Sequence, residues 1–234
     1  MSKVIAIIPA RGGSKRIPRK NIRLFSGRPI VAYSIDLANR SSLFDEIMVS
    51  TDDTEIVSIA KDLGASVPFM RSKKNADDFA ATADVILEVI EKYKQLGQEF
   101  DYVCCIYPTA PFINPERLRE CYDLLLAKDR DVVFPVIKYS YPIQRALKFE
   151  NDKIQMIDKK NLRVRSQDLP DTYHDAGQFY WLKVKCFLRN PELITDNTGS
   201  IVIPEWEAQD IDNPEDWQLA ELKYKLFSQL RKNK

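Results

Sequence analysis

The residues best suited to chemistry lie early in the chain, in Pro9-Ala10-Arg11-Gly12-Gly13-Ser14-Lys15-Arg16-Ile17-Pro18-Arg19-Lys20-Asn21, directly behind the apolar run Val4 to Ile8. A glycine pair after a strand lets backbone N–H groups come close to a phosphate, while Arg and Lys neutralise its charge. Neither G-x-x-x-x-G-K-[ST] nor G-x-G-x-x-G is present, so the expectation rests on position and charge. Alone, so basic a stretch also fits a solvated loop or a localisation signal. Its place at the end of a strand favours a phosphate site. Residues 1–35 hold eight basic side chains and no acidic one, which leaves 27 of the 35 basic residues against all 34 acidic ones in the remainder. A compact cationic pole on an otherwise acidic chain points to a discrete anion. A nucleic acid would ask for a broad basic face, so none is expected as a partner.

A second pair able to do chemistry is Asp210 and Asp212. In an extended segment they project to one face and offer two hard oxygen ligands of the kind Mg²⁺ shares with phosphates. The competing reading is helix capping, because Asn213-Pro214-Glu215-Asp216 follows. Asn213 as N-cap with Pro214 at the first helical position would leave both aspartates free. The four cysteines, Cys104, Cys105, Cys121 and Cys186, show no C-x-x-C spacing and read as buried thiols. One histidine, His174, excludes mechanisms that need two imidazoles, including His-rich zinc sites. A Ser-His-Asp triad would lack its G-x-S-x-G elbow.

These groups have to be positioned by the elements around them. Val4 to Ile8, Glu46 to Ser50, Ser66 to Met70, Tyr102 to Tyr107 and Asp131 to Val136 read as strands, several continuously apolar as in a parallel sheet covered on both faces. Between them run amphipathic helices: Ile56-Ile59-Ala60-Leu63 closed by Gly64, Ala83 to Tyr93 followed by Gly97, and Leu118-Cys121-Tyr122-Leu125 opened by Asn114 and Pro115. The series is α/β, a Rossmann-like doubly wound sheet with its ligand site at the carboxyl ends of the strands. From Ile137 to Tyr173 the chain turns polar, with short β-like pieces at Ala146 to Phe149 and Lys153 to Ile157. This segment, 137–173, reads as a lid or oligomerisation arm inserted in a core of 1–136 and 174–234. Gly177 to Leu182 and Ser200 to Ile203 return to strand. A final helix starts at Pro214 with Trp217, Ala220, Tyr224 and Phe227 on one side, ahead of a basic tail, Arg231 to Lys234, expected to fray. No apolar run reaches membrane-spanning length and no signal-peptide pattern opens the chain, so a cytoplasmic protein is expected.

The segment Ala10 to Asn21 closely resembles A-R-x-x-S-K-x-x-P-x-K-N, the phosphate-binding signature of the acylneuraminate cytidylyltransferases, or CMP-sialic-acid synthetases. The resemblance extends to Val49-Ser50-Thr51-Asp52, Arg71 with Asp78, Pro108-Thr109-x-Pro111, Arg165-x-Gln167-x-Leu169-Pro170 and Asp210-Ile211-Asp212. It implies a nucleotide-diphospho-sugar transferase fold, a homodimer with an exchanged arm, and a Mg²⁺-dependent reaction of CTP with a nine-carbon 2-keto sugar acid to give the CMP-sugar and pyrophosphate. Under that resemblance Ala10, Arg11, Gly12, Gly13, Ser14, Lys15, Lys20, Asn21, Arg71 and Asp78 would hold CTP, with the two glycines as backbone donors. Arg11, Lys20, Asp210 and Asp212 would be catalytic, the aspartates by holding the metal.

The chain departs from the sialic acid pattern where the sugar would sit. Tyr107 stands where that branch has Gln, and Tyr173-His174-Asp175-Ala176-Gly177-Gln178 where it has P-N-G. Together with Ser140-Tyr141-Pro142-Ile143-Gln144-Arg145-Ala146 these residues resemble the branch acting on pseudaminic acid. Tyr107, Thr109, Arg165, Gln167, His174, Asp175 and Gln178 are the expected sugar contacts. The same chemistry on N-acetylneuraminate, legionaminate or 3-deoxy-manno-octulosonate is the nearest alternative. A silent nucleotide-binding protein is more remote, and a phosphatase would need the D-x-D-x-[TV] that is missing.

Overall fold

The computed structural model describes residues 2–232. Its centre is a seven-stranded sheet ordered β11-β6-β10-β5-β1-β4, with β9 paired to β6. The strands are β1 (Val4–Pro9), β4 (Glu46–Ser50), β5 (Tyr102–Ile106), β6 (Val132–Lys138), β9 (Tyr173–Asp175), β10 (Phe179–Lys183) and β11 (Thr198–Val202). β2 (Leu24–Phe25) and β3 (Arg28–Pro29) form a small separate hairpin. β10 runs antiparallel between β5 and β6, and β9 is antiparallel to β6; the other pairings are parallel. The carboxyl ends of β1, β4, β5 and β6 therefore lie along one edge, as expected for a doubly wound sheet.

Helices α1 (Ile30–Ser41), α2 (Thr54–Asp62), α3 (Thr82–Gln95), α4 (Pro115–Ala127), the short α5 (Val184–Phe187) and α6 (Pro214–Lys232) cover the sheet. Alternate residues of β1 enter two cores: Ala6 and Ile8 pack toward α1, α2 and α4, while Ile5 and Ile7 pack toward α3. This is why the strand is apolar without interruption. Cys104 and Cys105 divide between the same two cores as small apolar fillers, and burial pushes the Cys105 thiol up to about 12.

Three sequence expectations change here. Ser66 to Met70 is not a strand: Ser66 makes a single parallel bridge to Met48, and Pro68 has no N–H with which to continue a ladder. The helix α1 was missed. Tyr33, Asp36, Asn39 and Arg40 leave an open stripe beside the buried Ile30, Val31, Ile35 and Ala38, but its N-cap Pro29 supplies no side-chain acceptor to mark the start. The final helix continues through Lys232, while the Asn233 and Lys234 of the expected frayed tail lie outside the described residues.

α6 builds a third, smaller core that matters for the site. Trp217, Ala220 and Phe227 pack with Phe25 and Ile30, and also with Ile17 of the basic loop, Phe112, and Ile211 between the two aspartates. Phe25 meets Tyr33, Trp217 and Tyr224 edge to face at 5.3–5.7 Å. Residues between β6 and β9 form the exposed hairpin of β7 (Leu147–Glu150) and β8 (Lys153–Met156), with short 3₁₀ turns on either side.

Candidate active site

A cleft of about 250 Å³ opens at the carboxyl edge of β1 and β5. Arg11, Ser14, Lys15, Lys20, Asn21, Arg71, Asp78, Tyr107, Thr109 and Asp212 line it, ten of the positions expected from sequence. The loop that carries the first five is held from three sides. Buried Asn21 donates from Nδ2 to the Arg11 carbonyl at 2.8 Å, which folds the loop back on itself. Arg19 sits in the left-handed region (φ 55°) and ion-pairs with Asp53 and Glu55 at the start of α2. Lys20 donates from Nζ to the Ile211 carbonyl at 2.7 Å and lies 3.7 Å from Asp212. Burial lowers the Lys20 pKa, while Asp212 and Asp210 favour its charged form.

The glycine pair works differently from the sequence expectation. The Gly12 N–H donates to Asp52 Oδ1 at 2.9 Å, so it is committed to the protein rather than to a phosphate. Its missing side chain is required by close approach: a Cβ there would lie 2.6 Å from Asp53 Oδ2. Gly13 faces open space.

Arg71 forms the back of the cleft. It is buried, its Nε donates to Ser50 Oγ at 3.0 Å and its Nη2 to the Ser50 carbonyl, and burial lowers its pKa to about 10. Among the described residues it has no ion-pair partner, and such a guanidinium turned toward a cleft suits an anionic or strongly polar ligand. Opposite it stands Tyr107, whose hydroxyl lies 3.2 Å from Thr82 Oγ1 and whose ring packs on Tyr180 at 5.6 Å. Burial raises the Tyr107 pKa, so the phenol stays protonated at neutral pH. The Tyr180 hydroxyl donates to Asp175, which also accepts from the Gly177 N–H at 2.8 Å.

Asn213 takes the N-cap of α6: its Oδ1 accepts from the N–H groups of Glu215 and Asp216 at 2.9 and 3.0 Å. Asp216 in return accepts from the Asp212 and Asn213 N–H groups. Both Asp210 and Asp212 carboxylates are thus free of capping duty. Asp212 faces Arg16 at 3.1 Å, and the Asp210 pKa is raised by burial and then by the Asp212 charge. No group of three or more metal-binding side chains occurs among the described residues. Two hard oxygens, one of them partly buried beside a like charge, fit a Mg²⁺ ion that takes its other ligands from phosphate and water.

Other expected residues fall outside the cleft. Ala10 is buried in the core beneath the loop. Gln178 is buried, donating from Nε2 to the Glu207 carbonyl at 2.7 Å. His174 lies on exposed β9, with its ring 4.8 Å from Tyr139. In the arm, Arg165 pairs with Asp168 at 2.7 Å, and Gln167 lines a separate groove with Tyr139, Pro142 and Pro170. Sequence reading missed Asn75, Asp77, Ala80 and Thr82, which form the cleft wall leading into α3. Their signal was a polar stretch without periodicity, Lys73 to Thr82, between a strand-like end and an apolar helical run.

An open, mainly parallel sheet with a cationic cleft at its carboxyl edge defines an α/β nucleotidyltransferase-type protein. The cytidylyltransferase family model matches residues 5–203, and the chain belongs to that family. It is 41% identical over 225 residues to a pseudaminic acid cytidylyltransferase of Campylobacter jejuni, covering 96% of this chain and 97% of that one. It is 33% identical over 223 residues to the CMP-N,N'-diacetyllegionaminic acid synthase of Legionella pneumophila, covering 94% and 95%. The fold matches a structure of CMP:2-keto-3-deoxy-manno-octonic acid synthetase complexed with CTP, with a TM-score of 0.71 at 16% identity over 97% of this chain and all of that one.

Proposed function

We propose that the chain is a Mg²⁺-dependent CMP-nonulosonate synthetase whose sugar is pseudaminic acid: CTP and pseudaminate give CMP-pseudaminate and pyrophosphate. The observation that carries this reading is the convergence of Arg11, Lys15, Lys20 and the unpaired Arg71 on one cleft faced by Tyr107 and Thr109. The anomeric 2-hydroxyl attacks the α-phosphorus in line and pyrophosphate leaves, so no protein nucleophile is needed. Rate comes from positioning and from offsetting the charge that develops on the phosphates. Arg11, Lys15 and Lys20 neutralise the triphosphate, Asn21 keeps the loop in the shape that presents them, and Arg71 meets the nucleotide from below. Asp210 and Asp212 would hold Mg²⁺, which supplies charge neutralisation at the phosphate oxygens.

The sugar would lie beyond Tyr107, toward His174 and Asp175. A site whose polar groups match one sugar leaves them unpaired with another, at costs that reach factors of about 10⁴. With CTP in excess, kcat/KM for pseudaminate should exceed that for N-acetylneuraminate by at least about 100-fold. Equal values would return the protein to the sialic acid branch, and the same panel tests legionaminate and 3-deoxy-manno-octulosonate.

A cytoplasmic homodimer completes the reading. β7 and β8 pair Phe149 with Ile154 and Leu147 with Met156 on one face, and Phe149, Ile154 and Leu147 are all exposed. A lone two-stranded hairpin with an outward apolar face is marginal in water and calls for cover. A second copy would cover it and bring Arg165 and Gln167 to the partner's cleft; light scattering at micromolar concentration should give twice the chain mass. No nucleic acid or membrane partner is proposed, and among the described residues no helix is long and apolar enough to cross a membrane.

A further inference from the structure

Asp78 lies where an anionic ligand would have to go. Its Oδ1 is 2.8 Å from Arg11 Nη1, its Oδ2 ion-pairs with Lys15, and the same Arg11 nitrogen donates to the Asp77 carbonyl at 2.7 Å. Two cations of the basic loop, Arg11 and Lys15, are therefore engaged by one short segment of the facing wall. A triphosphate cannot take those cations while a carboxylate remains on them, because like charges would share the same donors. One of the two anions must give way.

The segment is built to move without disturbing its ends. On one side Glu88 accepts from the Ser72 N–H and hydroxyl at 2.8 Å and from Asn75 Nδ2 at 2.6 Å. On the other, Asp84 accepts from the Ala81 N–H at the start of α3. Between these anchors the Asp77 carboxylate accepts from the N–H groups of Phe79 and Ala80, which makes a self-contained turn. The Phe79 side chain is 94% exposed and ties the turn to nothing. Leaving the loop thus breaks partly exposed ion pairs and one backbone contact rather than any core packing.

We infer that Asp78 is a positioning residue of the phosphate site: it holds Arg11 and Lys15 in place when the site is empty and surrenders them to the incoming triphosphate. It acts through those two cations and does not itself bind the nucleotide. Ligands that need the cations bind only the fraction of molecules in which Asp78 has let go, so their apparent affinity is reduced by that fraction. After transfer, Asp78 competes with pyrophosphate for the same cations and assists its departure. The inference rests on the phosphate-site reading proposed above.

The test is calorimetric titration of the full chain with inorganic pyrophosphate and with CTP, in excess chelator so that any direct metal role drops out. Asp78→Asn should bind pyrophosphate about three- to tenfold more tightly than wild type, the scale of two partly exposed ion pairs. Asp78→Glu should restore weaker binding. In turnover assays Asp78→Asn should be inhibited by pyrophosphate at correspondingly lower concentrations. Unchanged or weaker pyrophosphate binding in Asp78→Asn, with wild type still binding CTP, overturns the inference and leaves the phosphate site standing. A wild type that binds neither ligand removes both.

Discussion

The cleft wall and the arm are built in opposite ways. In the wall, polar groups are tied to one another over short distances: Asn21 to the Arg11 carbonyl, Arg71 to Ser50, Gly12 to Asp52, Lys20 to the Ile211 carbonyl. Ile17 of the basic loop and Ile211 between the aspartates point inward. In the arm the large apolar side chains point out, with Phe149 81% and Leu162 62% exposed, while Gln144 Oε1 and Arg145 Nε are buried without a partner. A region satisfied within its own chain can be read as a working part. One that exposes what it should bury is unfinished until something covers it.

The contrast can be broken at either end. Asp212→Ala should lose turnover by roughly 100-fold or more, the scale of losing a main charge-stabilising element, while circular dichroism stays native; near-normal pyrophosphate release would take the aspartates out of the chemistry. Arg71→Ala should weaken CTP binding by about ten- to a hundredfold in calorimetry, and Arg71→Lys should recover only part of it because a lysine cannot fork onto Ser50. Neither variant should alter the oligomeric state. Phe149→Asp should do the reverse: it should shift the chain toward monomer in light scattering at micromolar concentration and leave CTP affinity alone. If Phe149→Asp stays dimeric, the exposed hairpin face is not the contact.

Smaller effects sharpen the account of the wall. Gly12→Ala should cost about 1–3 kcal/mol of stability, because its Cβ must displace Asp53, whereas Gly13→Ala should be close to neutral; equal losses in chemical denaturation would contradict the crowding seen at Gly12. Burial pushes the Glu88 pKa up but is outweighed by hydrogen bonds from Lys92, Ser72 and Asn75, which hold it at about 2. A depressed carboxylate pKa stabilises above the unfolded value and the contribution fades as pH falls toward the folded one. Glu88→Gln should therefore be less stable than wild type by about 1–2 kcal/mol near pH 7, the gap closing between about pH 4.5 and 2.

Much of the wall was legible because its residues are contiguous. Arg11 to Asn21 lies in one run at a strand end, and the alternation of strands and helices placed that end at the rim of the sheet. What failed to show was set by distant partners. The strand character of Gly177 to Leu182 was visible, but not its antiparallel insertion between β5 and β6, which depends on where the chain returns from the arm. Helix α1 hid because no capping residue announces its start: Pro29 stands at its N-cap without a side-chain acceptor. The Gly12 donor was assigned to a phosphate because nothing local announces Asp52, forty residues away. Apart from Asp78, the stretch Asn75 to Thr82 carries no motif, and the fold is what reveals the rest of it as the facing wall of the cleft.

The third core has a consequence in time as well as in space. Ile17 shares this core with Trp217 and Phe227, and Lys20 reaches a carbonyl 191 positions further along. During synthesis the sheet and its helices can form as they emerge, and the ties of Asn21 to Arg11 and of Arg19 to Asp53 can close early, but Lys20 has no partner and Ile17 no cover from Trp217 until the segment from Ile211 into α6 has left the ribosome. The cationic segment is therefore fixed in two stages, its own fold and its tie to α2 first, its seat on the third core only after some two hundred residues have followed it.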